Sequence, residues 1–119
     1  MRADLRVSPV PSKRMGVNIE AIREKIGQGR YIISFTHTEK LRQRRIKAED
    51  IEQAIKTGTI IEDYPEDRRG ASCLILGLVG ERPLHILCGR LDAEEILIIT
   101  AYEPDPAEWE DDWTTRKRR

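Results

Sequence analysis

The sequence predicts an α+β domain, with two to three N-terminal helices packed on a three- to four-stranded antiparallel sheet. Three observations lead there. Apolar residues recur at helical spacing before Gly58 and at strand-like spacing after it. The strongest apolar runs fall between Ala71 and Tyr102, separated only by Gly80-Glu81-Arg82-Pro83 and Asp92-Ala93-Glu94. Connections that short make hairpins, which force antiparallel pairing. The chain has 119 residues, a length that suits one core.

Taken in order, residues 1–14 hold Pro9 and Pro11 and no apolar period, and read as a flexible arm. The domain is placed at 15–113 and a basic tail at 114–119. A first helix starts at Asn18 as N-cap, turns Ile19, Ile22 and Ile26 to one face, and ends at Gly27 and Gly29. Tyr31 to Phe35 is a short strand or extended entry. Thr36-His37-Thr38-Glu39 has the spacing of a capping box, in which Thr36 and Glu39 satisfy each other's backbone N–H, and opens a helix running to about Arg45. A third helix carries Glu49, Asp50 and Glu52 early and Lys56 late, as the macrodipole favours. It buries Ile51, Ala54 and Ile55 and stops at Gly58 in a left-handed C-cap.

Strands follow at 60–64, 71–79, 84–91 and 95–102, and Pro104 and Pro106 end the sheet. The strands are almost continuously apolar, so helices should cover one face while the other is partly enclosed. Alternation puts His85 with Leu87, and Ile98, Thr100 and Tyr102 together. Whether His85 and Tyr102 face the same way depends on register. Trp109 is expected to close over the sheet.

Composition narrows the function classes. No apolar run approaches the roughly 18 residues of a membrane helix, and the first residues lack a signal-peptide core; a cytoplasmic protein with no membrane partner is expected. Cys73 and Cys88 lie in apolar runs and read as reduced, buried thiols, with a cross-strand disulfide as the alternative. With 21 basic and 21 acidic residues, no global field steers a polyanion, so any nucleic-acid contact must be local. Lys40, Arg42, Arg45 and Lys47 form the candidate RNA-binding set, against the simpler reading of a solvated helix face. The tail Arg116–Arg119 is nonspecifically basic.

No phosphate loop, dinucleotide fingerprint or nucleophile elbow is present. The two histidines and two cysteines lack metal-ligand spacing, so no metal or cofactor is expected. His37 is the most suggestive residue. In a first helical turn, near Lys40 and Arg44, its imidazole is disfavoured as a cation and can act as a base. Arg44 falls on the same stripe and could hold a phosphate. The structural alternative is a histidine packed at the core edge through Leu41. His85, inside an apolar strand, reads first as a satisfied core histidine.

A set of marks then accumulates: His37, Gln43-Arg44-Arg45-Ile46, Glu49-Asp50-Ile51, Gly58, Tyr64-Pro65, Pro83-Leu84-His85, the run Ile98 to Pro104, and Trp109. In this order they resemble the bacterial domain-of-unknown-function family DUF4258, over roughly residues 31 to 113. The resemblance implies a likeness to RelE and BrnT toxins, which are metal-independent ribonucleases. It implies partnership with RNA and with a cognate antitoxin, often of zinc-finger type. By position, His37 would be the base or acid and Arg44 the phosphate clamp, with His85, Thr100 and Tyr102 lining the sheet side of the cleft. The sequence departs from that pattern in its zero net charge. Two other readings therefore stand beside the toxin: a non-catalytic protein-interaction module, suited by the tryptophan tail and the acidic run Glu108 to Asp112, and a simple RNA-binding module.

Overall fold

The computed structural model describes residues 18–118; the arm expected at 1–14 and the final arginine lie outside them. The described chain runs α1 (Ile19–Gly27), β1 (Tyr31–Ile33), a 3-10 turn (Phe35–His37), α2 (Thr38–Gln43), α3 (Ala48–Thr57), β2 (Thr59–Tyr64), β3 (Ser72–Val79), β4 (Arg82–Gly89) and β5 (Ile96–Tyr102). All strands join one sheet in the order β1-β5-β4-β3-β2. Among the described residues, no helix is long and apolar enough to cross a membrane.

The α+β class holds, with one correction to the sheet: it has five strands and is mixed. β1 runs parallel to β5, pairing Tyr31 with Ile96 and Ile33 with Ile98, whereas the other three pairings are antiparallel. A three-residue strand is too short to show a period, and its partner lies far along the chain, beyond any local signal.

Helix termini follow local chemistry in some places and depart from it in others. Asn18 caps α1, its side chain accepting from the Glu20 N–H at 2.9 Å. The capping box expected at Thr36 does not form. Thr36 lies in the 3-10 turn, its hydroxyl 3.0 Å from that of Ser34, and His37 is the N-cap of α2 without a side-chain cap bond. The extra turn arises because the Ser34 carbonyl, one step past β1, already accepts from the His37 N–H. α2 ends at Gln43, short of Arg45. Arg45 takes a left-handed φ of 58°, and the Ile46 N–H reaches the Leu41 carbonyl at 2.9 Å while Arg45 N–H reaches Arg42. This is a Schellman closure made without glycine, with Leu41 and Ile46 both buried beneath it.

Gly58 is the opposite case. The left-handed cap expected there is absent: its φ is −90°. It is glycine for space, because a Cβ would lie 2.5 Å from the Ala54 carbonyl oxygen and 2.6 Å from that of Leu76. Gly77 on β3 is tighter still, its Cβ position falling 2.0 Å from the Ala54 oxygen. α3 therefore lies almost in backbone contact with β3. Around that contact the core closes: Ile22 and Ile26 from α1, Ile51 and Ile55 from α3, and Ile75, Ile86 and Ile98 from the sheet. Cys73 and Cys88 face each other across β3 and β4 in the same layer as free, buried thiols, and burial raises the Cys73 thiol to about 12.

A second correction concerns β5. The register slips between Leu87 and Cys88: Leu87 faces Thr100, and Cys88 faces Ile98. Ile99 is the extra residue of a bulge. Ile98 consequently turns into the helix-side core, away from Thr100 and Tyr102, with which simple alternation had grouped it.

Gly77→Ala is expected to destabilise the fold by about 1–3 kcal/mol, since neither backbone can retreat without losing core contacts. Urea unfolding of the two proteins tests this; an unchanged midpoint would show that α3 is free to lift.

Candidate active site on the open face of the sheet

The face turned away from the helices is where the polar residues collect. Strand register sets its layout. His85 on β4 stands directly opposite Tyr102 on β5, and Leu87 opposite Thr100. Leu74 on β3 neighbours Leu87, and beyond it on β2 come Glu62 and Tyr64. The register that the sequence left open thus puts His85 and Tyr102 on the same side.

The chain after Pro104 folds back over part of this face. Glu110 N–H to Thr115 O at 2.8 Å and Lys117 N–H to Glu108 O at 2.9 Å close it into a loop, and Asp112 accepts from the N–H groups of Thr114 and Thr115 at its tip. The boundary placed at residue 113 falls inside this loop. Trp109 packs its ring against His85 with centroids 4.4 Å apart, nearly perpendicular, and is only 3% exposed. It closes over the sheet as expected and is no free tryptophan for a partner. Arg116 also stacks over Trp109, 4.6 Å from the ring, and grips Glu62 through two bonds of 2.8 and 3.0 Å. The Tyr64 hydroxyl also bonds Glu62. Held by Arg116 above all, the Glu62 carboxyl lies below the usual range.

His85 is fully buried in this cluster. Its Nε2 lies 2.7 Å from the Trp113 carbonyl oxygen, which can only accept, so Nε2 carries the proton. The bare Nδ1 faces the Tyr102 hydroxyl at 3.4 Å. Desolvation pulls the imidazole pKa below its ordinary value, against the opposing pull of the Trp113 carbonyl and Glu62. The ring is therefore neutral near pH 7. Burial raises the Tyr102 pKa, keeping the phenol protonated, while Arg116 acts in the opposite direction.

Tyr102 leads out into a cavity of about 460 Å³ with Leu74 and Leu87 on its floor and Tyr64, Arg69 and Arg116 around it. Arg69 is set there by its own loop. Asp67 accepts from the Arg69 backbone N–H at 3.0 Å, from the Arg69 guanidinium, and from the Ser72 hydroxyl at 2.9 Å. These bonds, those from Arg69 foremost, lower its carboxyl to about 2.

Four of the five residues singled out from the sequence come together. Tyr102 and His85 touch, Thr100 lies on the same face, and Arg44 Nη1 bonds the Thr100 hydroxyl at 3.2 Å and the Ala101 carbonyl at 2.7 Å. The second bond explains the position of Arg44: β1 stops at Ile33, leaving the outer edge of β5 without a strand, and the guanidinium caps a carbonyl there. Neither Arg44 nor His37 borders the cavity. His37 Nδ1 is buried without a hydrogen-bond partner among the described residues. Lys40, Arg42, Arg45 and Lys47 are exposed, and the last three border a separate recess of about 580 Å³ beside Leu41. Among the described residues no group of three or more His, Cys, Asp or Glu is placed to hold a metal ion.

Glu62, Arg69 and Arg116 were not singled out as site residues. Glu62 and Tyr64 stand two apart on one strand, which puts them on one face, and Tyr64-Pro65 was already among the resembling marks. Arg116 carries no such signal; only the fold-back of Trp109 brings it in.

The family model described as Domain of unknown function (DUF4258) matches residues 37–103, more than half of the chain. The chain belongs to this family. The matched span opens on His37 and takes in Arg44, His85, Thr100 and Tyr102, whereas the loop carrying Trp109, Trp113 and Arg116 lies beyond it. DUF4258 thus supplies the sheet face, and its cover in this chain comes from outside the matched span. No curated protein and no solved structure matches the chain.

The lowered pKa of His85 has a measurable sign. As pH falls, the unfolded chain takes up this proton before the folded one, so the contribution of His85 to stability is complete above about pH 6.5 and declines below it toward the folded value. Urea midpoints between pH 7.5 and 5.5 should fall more steeply for the natural chain than for His85→Gln. Parallel declines would contradict a neutral, desolvated imidazole.

Proposed function

We propose that this chain is the toxin component of a toxin–antitoxin pair, a cytoplasmic, metal-independent endoribonuclease whose reacting groups lie on the open face of the sheet. The observation that carries the reading is the His85–Tyr102 contact: a neutral imidazole with its unprotonated nitrogen turned to a phenol, and the phenol bordering a cavity of nucleotide size. A ribose 2′-OH attacking the adjacent phosphorus must lose a proton. Tyr102 takes it while passing its own to His85 Nδ1. The P–O5′ bond breaks, the 5′ oxygen takes a proton from water, the hydroxide so formed takes back the proton held on His85 through Tyr102, and the other product ends in a 2′,3′-cyclic phosphate. Arg116, paired with Glu62 beside Tyr102, offers the phosphorane hydrogen-bond donors rather than net charge. Its partial neutralisation by Glu62 and the zero net charge of the chain fit a slow or selective enzyme rather than an indiscriminate one. In this reading Arg44 and Thr100 position β5, and His37 stands apart from the reacting groups. Lys40, Arg42, Arg45 and Lys47 remain the exposed set for the RNA backbone. The proposed partner is a cognate antitoxin, which the resemblance to RelE and BrnT toxins implies to be of zinc-finger type.

One observation favours a second reading. His85 Nε2 and the Arg116 guanidinium are both engaged by the chain itself, as in a latch that fastens the last loop. A non-catalytic interaction or RNA-binding module needs no more than that.

Tyr102→Phe separates the two, because it removes only a hydroxyl and leaves the His85–Trp113 bond in place. Purified protein should cleave single-stranded RNA in EDTA, and the variant should be slower by about 10²- to 10⁴-fold with an unchanged thermal midpoint. Induced expression should arrest growth, and the variant should relieve the arrest. Equal rates would remove Tyr102 from the chemistry; no cleavage and no arrest would leave the interaction module.

A further inference from the structure

The cavity beside Tyr102 has two dissimilar ends. The hydroxyl of Tyr102 stands at one end. The other end has Leu74 and Leu87 on the sheet beneath it, Tyr64 as a wall and the Arg69–Asp67 pair at its rim, and Arg116 reaches it as well through Glu62 and Tyr64. We infer that this second end takes a single unstacked nucleobase of RNA, the one next to the scissile phosphate. The inference deepens the ribonuclease reading above and rests on it.

Charge decides what kind of group fits there. Each guanidinium bordering the cavity is already paired with a carboxylate: Arg69 with Asp67 and Arg116 with Glu62. Asp67 stays ionised to about pH 2, so its pairing persists throughout the physiological range. The Leu74–Leu87 end therefore offers no net positive charge and gives a phosphate no reason to settle there. It suits a neutral, flat group with an apolar face and polar edges. Leu87, partly exposed where Leu74 is buried, meets the face, and the outward donors of Arg69, whose side chain is 69% exposed, meet carbonyl oxygens and ring nitrogens at the edge.

Size and position agree. About 460 Å³ is near the lower end for small-molecule sites and holds one nucleoside. Leu87 is two residues from His85 along β4, about 7 Å, and one strand across from Thr100 and Tyr102. A phosphate at Tyr102 thereby leaves its neighbouring base over the leucines. A base still stacked in a duplex cannot enter such a recess, so the substrate is single-stranded or locally opened.

The test compares binding, by fluorescence anisotropy at fixed salt, of a 2′-deoxy oligonucleotide that cannot be cleaved and of an abasic sugar–phosphate oligomer of equal length. Fixed salt holds the backbone contribution constant. The base-bearing oligomer should bind at least about fivefold more tightly, as expected for one stacked base. Leu87→Trp, which fills the floor, and Arg69→Ala, which alters only an exposed rim, should each narrow that difference. Should Leu87→Trp fail to fold, Arg69→Ala alone still reads the site. Equal binding of the two oligomers by the natural protein overturns the inference. So does binding to neither, which would leave the recess to a protein side chain. Base-dependent binding without cleavage of the all-ribose oligomer supports the pocket and removes the ribonuclease reading. Cleavage that is equally fast beside an abasic position does the reverse.

Discussion

The close approach of α3 to β3 is the constraint on which the rest of this fold depends. With Ala54 against Gly77 and Gly58, helix and sheet meet almost backbone to backbone, and no side chain between them can act as a spacer. That contact fixes how deeply Ile51 and Ile55 enter the core and which strand faces they meet. It also fixes the sheet against one layer of helices, so that all helical cover is on one side. The polar cluster on the other side is a consequence. A sheet with one face filled by isoleucines must dispose of Glu62, Tyr64, His85, Thr100 and Tyr102 on its second face.

On that second face a histidine is buried with one ring nitrogen committed to a backbone carbonyl. The Trp113 carbonyl selects the tautomer, Trp109 removes water, and the remaining nitrogen is left to a phenol. Fixing Nε2–H with a backbone carbonyl orients the ring through an acceptor that cannot itself take the proton. The Nδ1 atom faces the Tyr102 hydroxyl. The imidazole is shielded from solvent, and the hydroxyl is the group that a ligand would meet.

Much of the helix and strand content is legible in the sequence. The isoleucines of α1, the acidic-to-basic gradient of α3 and the two tight hairpin connections each carried local signals that tertiary structure respected. What local signals could not carry was anything set by distant partners. β1 is three residues long and its parallel partner comes after the rest of the sheet. The bulge at Ile99 reversed the side expected for Ile98. Gly58 looked like a cap and proved to be a clearance. At the candidate site, the resemblance puts His85, Thr100 and Tyr102 on the sheet side of a cleft, yet the register that joins His85 to Tyr102 cannot be read from the sequence. Arg69 and Arg116 were out of reach, because an arginine in a charged loop or a basic tail is indistinguishable by composition from a solvated one. The capping box expected to seat His37 does not form, and its buried Nδ1 has no hydrogen-bond partner among the described residues.

The parallel pairing of β1 with β5 also sets an order of events. β3 and β4 are joined by a two-residue turn, and α3 and β2 lie just before them, so these elements can find one another as soon as they exist. Tyr31, in contrast, has no strand to join until Ile96 is present. During synthesis from the N-terminus, a half-built molecule would hold the helix-side core on β3 and β4 while the edge of β4 waits open for β5. β5 then serves two purposes in a single step. It seals that edge, and it brings Tyr102 opposite His85, so a molecule that has closed its sheet has joined the two groups over which the loop after Pro104, with Trp109 and Arg116, then folds.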